Sequence, residues 1–142
     1  MHISVDKFSD AQRRWYVELI VQAIRVDGVV DIDEMDFIFR MLHFLDQKER
    51  LWVNQMLRSK TPVDATQVPP DGFSLAALAS IFSELILLMV ADAKLTSKER
   101  NFLLVTAEKC SIPASTTKEL MDWGERVYDL ERERRQILAR AQ

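Results

Sequence analysis

Five carboxylates crowd into ten residues of this chain: Asp27, Asp31, Asp33, Glu34 and Asp36, with no Lys or Arg among them. Oxygen-only ligand sets are what hard cations such as Ca²⁺ and Mg²⁺ require. A divalent cation is therefore one candidate occupant of the segment 27–36, with Asp27, Asp31, Asp33 and Glu34 as its ligands. The segment is no EF-hand. A twelve-residue loop counted from Asp27 puts Ile32 where the sharp turn needs glycine and Ile38 where a bidentate Glu belongs. Asp31 and Glu34 also have the spacing of a capping box, in which two side chains satisfy free N–H groups at a helix start. The remaining acids would complement the positive end of that helix. An acidic docking face for a basic partner is the third possibility, and capping and cation binding are compatible with each other.

Other reactive residue types are sparse. His43 has no Ser, Cys or acid at a diagnostic spacing. Cys110 is the one cysteine of 142 residues, which excludes an internal disulfide framework and a Cys-rich zinc site. No glycine-rich phosphate loop, nucleophile elbow or zinc-ligand pair is present. The expectation is a protein that is not an enzyme.

The elements that must position these residues are helical. Three glycines in the whole chain and long stretches of good helix formers predict an all-α protein. Ser9 can cap a first helix to about Val26, with Val17, Ile20, Val21 and Ile24 inward. A second starts at Asp31 and carries Ile38, Met41, Leu42 and Leu45. Asp46 with Glu49 forms another capping box and opens a third helix, anchored by Leu51, Trp52, Met56 and Leu57. Residues 61–72 hold Pro62, Pro69, Pro70 and Gly72 and form a linker. An apolar helix follows from about Ser74 to Ala91. Thr96 with Glu99 opens the next, to about Lys109. After a turn at Ser111-Ile112-Pro113, a helical stretch from about Ser115 runs to the C-terminus, with Gly124 as a point of interruption. The expected whole is a single-domain helical bundle, with halves at about 9–60 and 73–120 and a C-terminal helix at about 121–142.

Residues 24–37 align with 89–102, with identities at Asp27/Asp92, Glu34/Glu99 and Phe37/Phe102. In both copies an apolar helix ends at Asp, a small residue follows, and an apolar residue (Val30, Leu95) precedes an N-cap with Glu three residues on. Asp27-Gly28-Val29-Val30-Asp31-Ile32-Asp33-Glu34 resembles the A-D-G-x-I-x-x-x-E signature of the TerB-like tellurite-resistance family. Asp92-Ala93-Lys94-Leu95-Thr96-Ser97-Lys98-Glu99-Arg100 is similar to that family's second copy. The resemblance spans roughly Gln12 to Leu120. It implies an all-helical bundle of about seven helices built from two similar halves, an association with bacterial stress response and tellurite resistance, and a metal-linked or partner-binding module without catalysis. It would add Asp92 and Glu99 as a second, weaker ligand pair.

The net charge of −3 conceals a contrast, because residues 27–36 carry −5 and residues 94–109 carry +2. The two loops could face one another, serve different partners, or vary as ordinary surface does. A mildly acidic chain lacks the bulk charge of a nucleic-acid binder. The start has neither a basic n-region nor an apolar h-region, so a cytoplasmic protein is expected. Residues 73–91 approach the length of a membrane span, but Glu84 near the middle would cost about 2.5–3.5 kcal/mol; a helix buried by its neighbours fits better, and membrane association would run through a partner.

At the C-terminal end, Leu120, Val127 and Ala141 share one heptad position and Trp123, Leu130 and Ile137 the other, with Arg134 interrupting the first row. That stripe suits packing on the chain's own bundle or contact with a protein partner, including a homodimer. Two functions follow: a non-enzymatic binding module, or a membrane-proximal adaptor or co-chaperone-type interaction domain.

Overall fold

The computed structural model describes residues 5–26, 32–59, 68–91 and 93–142, with residues 32–34, 37 and 41 as backbone only. The chain is all-helical, and no strand occurs among the described residues. After a single 3-10 turn at Val5–Lys7 come α1 (Asp10–Arg25), α2 (Ile32–Met41), α3 (Gln47–Arg58), α4 (Leu75–Met89), α5 (Ser97–Lys109) and α6 (Ala114–Arg140). Among the described residues six α-helices stand where about seven were expected, because the last stretch is one helix.

Local chemistry explains where the helices begin. Ser9, Asp46 and Thr96 each accept a hydrogen bond from the backbone N–H three residues on, and Gln12, Glu49 and Glu99 each reach back to the cap's own N–H. Each box satisfies N–H groups that have no partner inside the helix, and losing a cap costs about 0.5–2 kcal/mol. In all three, an apolar residue precedes the cap and an arginine follows the box: Phe8 and Arg13, Leu45 and Arg50, Leu95 and Arg100. Ser74 caps α4 through Ala77 N–H, without a reciprocal side chain. The box expected at Asp31 and Glu34 lies outside the described residues.

The chain divides into two compact units, residues 4–71 and 72–142. In the first, Trp15, Val17, Leu19, Ile20 and Val21 of α1 are buried, with Ile38 and Leu42 and with Val53 and Leu57 of α3. Arg13 Nη2 donates to the Phe44 carbonyl and to Glu49 Oε1, each at 2.7 Å, and Arg25 Nη2 donates to the Ser59 carbonyl at 2.9 Å. These clasps join like ends, so α1 and α3 run parallel. Of the four anchors expected on α3, Leu57 is buried and Trp52 and Met56 are half-buried, but Leu51 is 60% exposed and Val53 is buried in its stead.

In the second unit, Leu78, Ile81, Phe82, Leu85 and Ile86 of α4 are buried together with Phe102, Leu103 and Ala107 of α5 and Met121 of α6. Each fully buried side chain of this size contributes roughly 1.5–3 kcal/mol. α4 is 15 residues long, about 22 Å at 1.5 Å per residue, against about 30 Å of hydrocarbon in a bilayer. Among the described residues no helix is long and apolar enough to cross a membrane.

α5 ends with its chain turned through the left-handed region at Ser111 (φ 60°). Ser111 N–H donates to the Glu108 carbonyl and Ile112 N–H to the Ala107 carbonyl, both at 3.0 Å, which is a Schellman cap. Ile112 is buried, and Pro113 launches α6. α6 then runs 27 residues without a break. Gly124 does not interrupt it. A Cβ there would lie 2.3 Å from Ile86 Cγ2, so the missing side chain lets α6 sit directly on α4.

Candidate interaction surface

The residues singled out as metal ligands divide in three. Asp27, Asp31 and Asp92 lie outside the described residues. Asp33 and Glu34 belong to the first turn of α2, and their side chains are likewise outside. Glu99 is 8% exposed, and its Oε1 accepts the Thr96 N–H at 2.9 Å, which makes it the reciprocal half of a cap. Among the described residues no group of three or more His, Cys, Asp or Glu is placed to hold a metal ion.

The basic residues of the second copy have local partners. Lys94 Nζ stands 3.5 Å from Asp129 Oδ1, and Arg100 pairs with Glu125, both acids on α6. The +2 of residues 94–109 is thus partly met within its own unit. His43 is exposed, its ring edge-on to Phe44 at 6.1 Å. Cys110 is buried at the end of α5, and desolvation pushes its thiol up from 9.0 to about 11. A thiol held neutral at physiological pH is a poor nucleophile.

One cleft of about 540 Å³ opens between the first turns of α1 and α3, lined by Asp10, Arg13, Arg14, Asp46, Lys48, Glu49 and Trp52. Its charges are largely engaged internally. Arg13 is tied to Glu49 and packs at 4.9 Å from the Phe44 ring centroid. Arg14 lies 5.2 Å from the Trp52 ring centroid, and Asp46 caps α3. Cation–π stacking and the clasp stabilise the unit, and opposed charges in near balance select no particular ligand.

The distal half of α6 is different. Thr117, Met121 and Gly124 are buried, and Leu120, Trp123 and Val127 are half-buried. From residue 132 to the end every residue is exposed. Leu130 is 64% exposed, Ile137 49% and Leu138 51%. The heptad stripe therefore starts half-buried against its own unit and continues into solvent through Leu130 and Ile137, with Arg134 between them. Glu131 supports the overhang by pairing with Arg134 at 3.4 Å and Arg135 at 3.7 Å along the helix. Exposed pairs of this kind contribute only about 0.3–0.5 kcal/mol each. Helix beyond the core rests otherwise on propensity alone, and most helical stability in proteins comes from packing an apolar face.

The stripe was visible in the heptad spacing, but which part of it the bundle would cover was not. Comparison with family models, with curated proteins and with solved structures finds no match.

Proposed function

We propose that this chain is a non-enzymatic helical interaction module whose working surface is the exposed stripe of α6 around Leu130, Ile137 and Leu138. The observation that carries this reading is the heptad stripe itself, whose first members Leu120, Trp123 and Val127 are half-buried on their own unit and whose next members Leu130 and Ile137 are exposed. Contiguous exposed apolar surface on a helix is a common mark of a protein-binding site. The repeated cap-and-loop grammar, similar to that of TerB-like modules, supports a partner-binding role in a stress response of the tellurite-resistance kind.

A photo-crosslinking amino acid at Ile137, compared with the same group at Leu51, tests the reading in intact cells. Both positions are about half exposed or more, but only one lies on the stripe. A discrete adduct from 137 and none from 51 is the expected result. No adduct from 137, or the same diffuse ladder from both, overturns it.

A further inference from the structure

We infer that the exposed end of α6 pairs with the same segment of a second copy of this chain, antiparallel, in a register fixed by Glu133 and Arg140. The inference rests on the stripe being an interaction surface and names its occupant.

The charge pattern carries it. In 129–140 the acids come first and the bases last: Asp129, Glu131 and Glu133, then Arg134, Arg135 and Arg140, with Arg132 the one early base. Asp129 is taken by Lys94, and Glu131 by Arg134 and Arg135. Glu133 and Arg140 have no partner among the described residues. They lie seven residues apart on one flank of the stripe defined by Val127, Leu130, Arg134 and Ile137. In heptad terms, with Arg134 at a and Ile137 at d, both occupy g.

Two copies running antiparallel bring g against g. When Arg134 of one copy is level with Ile137 of the other, Glu133 of each meets Arg140 of the other, which makes two symmetric ion pairs. Leu130 of each then covers Ala141 of the other. Shifting the pairing by one heptad, so that Arg134 is level with Leu130, sets Glu133 against Glu133 and Arg126 against Arg140. Running the copies parallel places Arg134 against Arg134 in the seam. Both alternatives set like charges together, which destabilises them.

A polar residue at an a position specifies orientation and register at some cost in stability. The overlap is about three turns, a small interface. The dimer is therefore concentration-dependent, and its apolar content is Leu130, Ile137 and Ala141 with the aliphatic stem of Arg134.

Sedimentation equilibrium on the full chain tests the inference. The mass is expected to climb from 16.5 kDa toward twice that value with concentration. Glu133→Arg and Arg140→Glu should each hold the chain monomeric. The double variant E133R/R140E should restore self-association. An equimolar mixture of the two single variants should also associate, since one then carries only bases and the other only acids at g. Oxidation of Leu130→Cys mixed with Ala141→Cys should give a covalent dimer, and Leu130→Cys alone should not.

A chain that stays monomeric at every concentration overturns the inference. So does a dimer indifferent to both charge reversals, or one that Leu130→Cys alone crosslinks. If the chain is monomeric and position 137 still gives a discrete adduct of another mass in cells, the surface is real and its partner is a different protein. If neither occurs, both readings fall.

Discussion

Gly124→Ala is the sharpest test of how the second unit is built. At an unconstrained helix position this change adds about 1 kcal/mol of stability, because alanine loses less backbone freedom on folding. Here the new Cβ would stand 2.3 Å from Ile86 Cγ2. Carbon atoms pack at about 3.5–4.0 Å, so α4 and α6 must separate by more than about 1 Å or Ile86 must leave its rotamer. Overpacking of that kind costs about 1–3 kcal/mol. The net loss is then up to about 2 kcal/mol. A cooperative unit of 60–100 residues shifts its Tm by about 4–8 °C per kcal/mol, so a fall of several degrees is expected. The four members of the cycle with Ile86→Ala, followed by circular dichroism in heat and in urea, isolate the contact. Ile86→Ala alone should cost about 2–5 kcal/mol through its cavity. Adding Gly124→Ala in that background should return about 1 kcal/mol, since the obstructing methyl is gone. A coupling of about 1–3 kcal/mol between the two sites is the signature. The reasoning is refuted if Gly124→Ala stabilises the parent, or if its effect is the same in both backgrounds.

Four further outcomes follow. Ser111→Gly removes a Cβ from the left-handed position of the Schellman cap and should raise stability by about 0.5–1 kcal/mol in urea unfolding. Glu49→Ala removes the reciprocal half of the α3 capping box and the Arg13 ion pair, so it should cost about 1–2 kcal/mol, while Glu18→Ala, away from any cap, should stay within about 0.5 kcal/mol. Leu57→Ala should cost about 2–5 kcal/mol and Leu51→Ala under about 0.5, which checks the observed phase of α3. The Cys110 thiol should resist an aromatic disulfide reagent at pH 8 until the chain unfolds. Its folded pKa of about 11 lies above the value of 9.0 for the free group. The stability it contributes is therefore whole below pH 9 and lost as pH rises toward 11, and a Cys110→Ala variant should lack that part of the alkaline decline.

What the sequence made legible was local. Ser9, Asp46 and Thr96 each carry their signal within four residues, and all three cap where expected. The faces of α1 and α2 follow from helical spacing, with Val17, Ile20, Val21, Ile38 and Leu42 buried. On α3 the spacing held for Trp52, Met56 and Leu57 but took Leu51 for Val53, because Leu51, Trp52 and Val53 are consecutive and apolar and periodicity cannot choose among them. Gly124 reads locally as a helix breaker, at about 1 kcal/mol against alanine. Its reason for being there is Ile86, 38 positions away in sequence, and nothing local reports that. The pairing of Lys94 with Asp129 and of Arg100 with Glu125 is likewise non-local. Of the acidic segment 27–36, Asp27, Asp31 and the side chains of Asp33 and Glu34 lie outside the described residues.

The seat of Gly124 also fixes an angle. Successive residues of an α-helix turn by about 100°, so Leu130 and Ile137 project about 120–140° round the axis from the direction in which Gly124 meets Ile86. A rotation of α6 by one residue, about 100°, would bring the Cβ of Trp123 or Glu125 into the space that only a hydrogen can occupy. The azimuth of the distal stripe is thereby indexed to the core by one contact several residues upstream, and the unbroken backbone between them carries that setting outward like a keyed shaft.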